Sequence, residues 1–384
     1  MNNRNAWHIA VLPGDGIGVE VINATLPVLD AVATQCGLDL ESEILEWPSH
    51  VWHRKTGQMM PDDALDQLGR YDAMLLGALG DPGPVSDKDR YVLPDGISLS
   101  PLLTLRKGFD LWACERPAKF FPGVHQYLAD PRSLEMDMLV IRENSEGEYV
   151  NQGGRLHRGT DYELATQVEV FTRRATERLI RHAFDSATLR LEKRSQGILP
   201  EKTLPDDRGG DAGAQVCLVT KRNALPYWGE LYTEVFQEIG NEYPVIGMHH
   251  ELVDAACMKF VQAPWQFDVV VASNLQGDIL TDLAAVLSGG MGVAPSCNVK
   301  PDDRNVPPLF EPTHGSAPDI AGQGRADPRA MILTAAMMLD WMGEEDDRAL
   351  DACLRIRRAV EKDLAQKLEN RNTEEVMHAI LAGI

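Results

Sequence analysis

SNLQGDILTDL at residues 273–283 puts Asp278 and Asp282 four positions apart, which on a helix is one turn apart on one face. Two carboxylates stacked in this way repel each other unless something cationic lies between them. A third acid, Asp254, stands upstream in HHELVDAACMKF (249–260). Carboxylates drawn from two elements suit a hard divalent cation such as Mg²⁺ or Mn²⁺, which takes oxygen ligands. The plainer alternative is a solvated acidic helix face. The context favours the metal: the apolar run FDVVVASN (267–274) leads into the pair, with Gly277 before Asp278. A buried strand that runs through a glycine turn into acids is where α/β enzymes place ligands.

Working outward, apolar runs of strand length recur at His8–Leu12, Ala73–Leu76, Met138–Ile141, Val216–Val219 and Val269–Ala272. They alternate with helical patterns, among them Gly18–Ala33 and Thr166–Ala187. This alternation predicts an α/β protein with parallel strands covered by helices. Leu350, Leu354, Val360, Leu364 and Leu368, set among charges, predict a surface helix packed on one side. Residues 189–213, charged, aperiodic and rich in Pro and Gly, read as an exposed insertion. EGEYVNQGGRLHRGTDYE (146–163) reads as a β-hairpin arm or a plain surface loop.

The chain has 384 residues, enough for two domains. Its formal net charge of −21 argues against nucleic acid or an anionic membrane as a partner, but not against an anionic substrate met by a local arginine cluster. Its 6 cysteines form no CxxC or Cys/His pattern, so they read as small buried hydrophobes in a reducing compartment. The N-terminal apolar run breaks at Pro13, unlike a signal peptide, and no membrane span is expected. The cytoplasm is the expected location.

PGDGIG (13–18) follows a strand and opens a helix, yet Val19 stands where a Rossmann fingerprint needs its third glycine. It reads as a tight turn near a ligand, or as a structural turn. FEPTHGSAPDIAGQGRADP (310–328) packs small residues around His314, Ser316, Asp319 and Asp327. Small residues such as Gly315 and Ala317 let backbone amides approach a phosphate, and an Asp can accept from a ribose hydroxyl. Arg106, Arg116 and Arg142 lie near expected strand ends and suit carboxylates through bidentate forks. Tyr149 follows Arg142, and Lys221, with Asn223 beside it, ends the run VCLVT. A lysine beside a metal and arginines gives up its proton more readily, which suits a base.

Together these motifs resemble the β-decarboxylating dehydrogenase family of 3-isopropylmalate, isocitrate, homoisocitrate, tartrate and D-malate dehydrogenases. GDGIG, LRK, ERPAK, IRENSEGEY, VTKRN, VDAACM, SNLQGDILTDL and EPTHGSAPDIAG occur in the family's order, nearly end to end. The resemblance implies a two-domain, non-Rossmann α/β fold of the isopropylmalate dehydrogenase type. One domain would be built from 1–111 and 290–384, the other from 112–289, with an intersubunit arm at about 150–165. It implies that Arg106, Arg116 and Arg142 hold the carboxylates of a malate-type dicarboxylate and that Asp254, Asp278 and Asp282 carry Mg²⁺ or Mn²⁺. Tyr149 and Lys221 would be the acid–base pair. It further implies a homodimer with shared active sites, Lys221 and Asp254 being donated by the neighbouring subunit.

Asp319 and Ile320 stand where NAD-using members carry Asp-Ile, whereas NADP users tend to carry Lys and Tyr there. Asp327 departs from the usual Asn of the adenine loop. The specificity position, seven residues before Arg106, is Leu99, with Leu102 and Leu103 expected to keep the wall apolar. Such a wall disfavours isocitrate, whose extra carboxylate would be desolvated without a partner. The segments around EGEY, VFTRR and PYW resemble the tartrate/D-malate branch, with 3-isopropylmalate as the close alternative substrate. A metal-dependent hydrolase or phosphotransferase is a remote alternative, since the chain lacks a Walker lysine motif. A silent regulatory subunit would typically have lost catalytic residues, and every one named here is present.

Overall fold

The computed structural model describes residues 6–368 and 370–384. It divides into two compact units. One holds the chain up to Leu111, Lys119–Leu134 and Ala285–Ile384; the other holds Trp112–Ala118 and Glu135–Ala284. Residues 119–134 and 285–289, expected from sequence in the central domain, pack with the chain ends instead.

In the unit formed by the chain ends, the strand order is Cys297–Val299, Leu309–Phe310, Ala73–Ala78, Trp7–Gly14, Leu40–Ile44. Trp7–Gly14 pairs in parallel with Leu40–Ile44 and Ala73–Ala78, and Ala73–Ala78 pairs in parallel with Leu309–Phe310. Cys297–Val299 runs antiparallel. The helix Ile17–Cys36 opens at the glycine turn. By length and hydropathy it could cross a membrane, which the sequence reading did not anticipate. Its apolar face, with Val21, Ile22, Val28, Leu29 and Val32, is instead buried within the unit. Gly16 has φ +57, and a Cβ there would lie 2.2 Å from the Ser316 carbonyl oxygen. Only glycine lets the turn approach that loop so closely.

The central unit orders its strands Gly247–Leu252, Gln215–Thr220, Val269–Ala272, Asp137–Glu143, Ala113–Lys119. The pairings from Gly247–Leu252 through Asp137–Glu143 are parallel. Strands Gln215–Thr220 and Val269–Ala272 are wholly buried, as continuous apolar runs require. Three sequence expectations are corrected. The helix expected over Thr166–Ala187 spans Arg173–Ser195, because Leu164–Gln167 pairs with Gly153–Leu156 in an exposed hairpin. The supposed insertion begins with the last turns of that helix and ends with a short hairpin, Leu204–Pro205 with Asp211–Ala212. The C-terminal pattern forms the expected one-sided helix as Asp347–Ala365, with Val360 and Leu364 buried, but Leu350, Leu354 and Leu368 are exposed, and a second helix, Thr373–Leu381, follows with Val376 and Ile380 in the core.

The first of these corrections has an electrostatic core. Asp268 is fully buried and takes Arg194 at 2.7 and 2.8 Å and Arg190 at 2.5 Å. Arg190 also reaches Asp137 at 2.9 Å. Burial raises the pKa of Asp268, but Arg194 and Arg190 outweigh it and hold the carboxyl below its usual range. Lys202 caps the Asp137 and Phe267 carbonyls at 2.8 Å each, and burial pulls its pKa down to about 8. This network anchors the start of the strand that delivers Asp278.

Candidate active site

The strand Val269–Ala272 passes directly into the helix Asn274–Leu287. Asn274, Asp278, Thr281 and Asp282 recur at helical spacing and share one face. Glu148 fixes the helix start: its carboxylate accepts from Ser273 Oγ at 2.6 Å and from the Leu275 N–H at 3.1 Å. A carboxylate at a helix N-terminus is favoured by the orphan amides there. The same contact sets the backbone beside Tyr149.

Three groups meet on Asp278. Arg142, 2% exposed at the end of its strand, donates Nη1 to Asp278 Oδ1 and forks Nε and Nη2 onto Asn274 Oδ1 at 3.0 and 2.8 Å. Arg116 donates Nη1 to Asp278 Oδ1 at 3.2 Å and to Thr281 Oγ1 at 2.7 Å. It also stands 3.8 Å from Asp282. Tyr149 donates its hydroxyl to Asp278 Oδ2 at 3.0 Å, and the Arg142 guanidinium lies over its ring. Burial raises the pKa of Asp282; Arg116 opposes the shift and Asp278 adds to it. Asp282 nevertheless keeps 62% of its side chain exposed.

Lys221 and Asp254 form their own pair. Lys221 directly follows the strand Gln215–Thr220, and its Nζ lies 2.7 Å from Asp254 Oδ1 in the first turn of the helix Val253–Gln262. That contact holds the Asp254 carboxyl below its usual range. The residues that the resemblance assigns to a neighbouring subunit are thus held together. Among the described residues no three His, Cys, Asp or Glu side chains are placed to hold a metal ion within one chain. Asp254 does not join Asp278 and Asp282 there. Asn223 is exposed in the turn after Lys221.

The remaining candidates lie in the other unit. Arg106 is buried in the helix Ser100–Gly108 and donates to Glu311 at 2.6 Å, while Asn298 donates to the same oxygen at 2.8 Å. Glu311 begins the loop 311–328, so this pair ties the Arg106 helix to the base of that loop. The loop turns through Ala317 at φ +40, and its Ser316 carbonyl accepts from the Ile17 N–H at 2.9 Å. Gly315 and Asp319 are exposed, Ile320 half-buried, and burial lowers the pKa of His314. Asp327 is not free for a ligand in the manner of an amide: Arg329 binds its carboxylate through the backbone N–H at 3.0 Å and Nη1 at 2.6 Å. Asp327, Arg329, Gly292, Val293, Leu364 and Arg371 line a cavity of about 460 Å³.

Leu99 and Leu103 are exposed, at 39% and 41%, one turn apart. Leu102 departs from the expected wall. It is half-buried and packs against the core containing Leu105, Leu111 and Leu79, since it lies between exposed Leu99 and Leu103 and the buried Leu105 three residues on.

The model of the isocitrate/isopropylmalate dehydrogenase family matches residues 8–203 and 208–380. The chain belongs to that family. It is 43% identical to the 3-isopropylmalate dehydrogenase of Thermobifida fusca, over 94% of this chain and 92% of the relative. It is 42% identical to the decarboxylating D-malate dehydrogenase of Escherichia coli, over 93% and 91%. The crystal structure of isocitrate dehydrogenase from Methylococcus capsulatus superposes with a TM-score of 0.77 at 32% identity, covering 98% and 99% of the two chains. As a member of this family of decarboxylating dehydrogenases, the protein is an oxidoreductase. Its relatives divide between 3-isopropylmalate and D-malate at similar identity.

Sequence reasoning missed Asn274 and Thr281, which hold the two arginines, and Glu148 and Glu311, which hold a helix start and Arg106. The spacing 274, 278, 281, 282 carried the first two. No local pattern marks Glu148 or Glu311, whose partners are distant in sequence.

Proposed function

We propose that this protein is an NAD- and Mg²⁺- or Mn²⁺-dependent oxidative decarboxylase of a malate-type 2-hydroxy dicarboxylate, acting as a homodimer with shared sites. The observation that carries this reading is the meeting of Arg116, Arg142 and Tyr149 on Asp278. A carboxylate ringed by two guanidinium groups and a phenol occupies the kind of setting that a substrate carboxylate and a metal would divide between them. Asp278 and exposed Asp282 fit a hard cation from one helix face. The Lys221–Asp254 pair supplies a third carboxylate if it comes from a second subunit. Leu275, Ile279 and Val286 on one helix and Met258 and Val261 on another leave exposed apolar surface for such a subunit. The exposed hairpin 153–167 would be its arm.

Arg116 and Arg142 orient the acid through bidentate contacts. When bound, the divalent ion supplies Lewis acidity at the C2 oxygen, and NAD supplies the hydride acceptor. Lys221, once its ammonium has lost a proton to solvent, takes the C2 hydroxyl proton on Nζ, directly or through water, as hydride leaves C2. The C3 carboxyl then departs as CO₂, and the Tyr149 hydroxyl gives its proton to C3 of the enolate. On the cofactor side, Asp319 is exposed where it can accept from a ribose hydroxyl and repel a 2′-phosphate. The cavity beside Asp327 lies in the size range of small-molecule sites.

D-malate and tartrate are the favoured substrates, by the branch-specific segments. A second reading, 3-isopropylmalate, has its own support in the exposed Leu99–Leu103 face on the Arg106 helix, which suits an alkyl group on C3. The test is a panel of D-malate, meso- and L-tartrate, 3-isopropylmalate and isocitrate, read as NADH formation with Mn²⁺ or Mg²⁺. A preparation active on none of them would overturn the proposal.

A further inference from the structure

We infer that His50, acting with Asp15, His53 and Tyr91, clasps the segment Gly80–Gly96 and thereby sets the position of Leu99, which makes His50 a specificity-determining positioning residue. The inference rests on the function proposed above. Asp15, in the glycine turn after the strand Trp7–Gly14, and His50, opening the helix His50–Thr56, are both buried. The His50 N–H donates to Asp15 Oδ1 at 2.8 Å, and His50 Nδ1 lies 3.0 Å from Oδ2. The Leu93 N–H donates to His50 Nε2 at 3.1 Å. A backbone N–H can only donate, so Nε2 offers its lone pair and Nδ1 carries the proton given to Asp15. The imidazole is therefore a bridge with each nitrogen committed, from the glycine turn to the far end of the segment.

Two further fastenings act on the same stretch. Tyr91 Oη lies 2.9 Å from His53 Nδ1, and the Arg54 guanidinium sits 5.8 Å from the Tyr91 ring centre. Arg90 closes the neck with a fork onto Asp81, Nε to Oδ1 at 2.9 Å and Nη2 to Oδ2 at 2.8 Å. At the near end, the Asp15 N–H donates to the Ala78 carbonyl at 2.8 Å. Leu93 also packs against the unit's core. From this fixed point the chain runs through one short helix, Asp95–Ser98, to Leu99. A burial this complete for a polar pair holds only while every bond is made. Loss of the His50–Leu93 bond frees the segment to withdraw and widens the space before Leu99.

The test uses His50→Asn, whose shorter side chain can still face Asp15 but cannot reach Leu93. The kcat/KM ratio of 3-isopropylmalate to D-malate is expected to rise about tenfold, with the change in KM rather than kcat, as loss of ground-state binding contacts requires. Amides of 85–93 should exchange faster. A ratio within about twofold of the unsubstituted protein, or an equal fall in kcat for both acids, would overturn the clasp and leave His50 a structural residue. If His50→Asn fails to fold, Tyr91→Phe decides: the ratio should move in the same direction by about threefold, and an unmoved ratio overturns the inference. If the unsubstituted protein oxidises none of the acids, the proposed function has failed. The clasp is then judged by amide exchange alone, and unchanged exchange at 85–93 contradicts it.

Discussion

At the scale of single residues, Asp278 is the junction on which the site depends. Its carboxylate meets Arg116, Arg142 and Tyr149, so its removal unfastens the two arginines proposed to hold the substrate and the proposed proton donor, and takes away a proposed metal ligand. Asp278→Asn should lower kcat/KM by about three orders of magnitude while leaving the thermal midpoint within a few degrees, measured by steady-state kinetics and calorimetry. Tyr149→Phe should be more selective. The variant should still reduce NAD in a single turnover but should stall before enol protonation; turnover at the unsubstituted rate would remove Tyr149 from the acid role. Asp319 makes a separate claim. In the proposed place beside the ribose, its charge should favour NAD over NADP by about two orders of magnitude in kcat/KM, and equal use of both cofactors would contradict it.

At the scale of elements, the strand Val269–Ala272 and the helix after it carry the acids, and the Asp268 network sets where that strand begins. Asp268→Asn leaves Arg194 buried without its carboxylate and Arg190 with Asp137 alone, and should destabilise the fold by about 3–5 kcal/mol in denaturant titration. The sign of its pH dependence follows from its depressed pKa. The stabilisation is present above the ordinary carboxylate range and is lost as pH falls through the lower folded value. On the Arg106 helix, the exposed face of Leu99 and Leu103 should make isocitrate the poorest acid of the panel, because its third carboxylate would be desolvated with no cation opposite. The alternation of strands and helices and the acid-bearing face were legible because period and burial coincide there. The helix start at Arg173 was not, because residues 164–167 are claimed by a hairpin partner that helical spacing alone cannot register. Nor was the role of Arg190, Arg194 and Lys202, since a charged, Pro- and Gly-containing stretch reads as solvated until Asp268 and Asp137 are brought against it.

At the scale of the whole molecule, the family's order of motifs fixed the architecture, but no single chain assembles Asp254 with Asp278 and Asp282 among its described residues. The proposed homodimer with a shared site would account for this. Lys221→Met and Asp278→Asn, each inactive alone, should complement when unfolded and refolded together. Random pairing yields one intact site in each mixed dimer, hence about a quarter of the unsubstituted activity. No recovery from a verified mixed dimer would mean that Lys221 and Asp278 serve the same subunit's site. The most direct measurement on the central claim is the stoichiometry of NADH and CO₂ formed from D-malate, taken before and after metal removal by EDTA. The account predicts equal amounts of the two products, no turnover in the metal-free protein, and recovery with Mn²⁺ or Mg²⁺. NADH without CO₂, or full turnover in a sample verified to be metal-free, would contradict it.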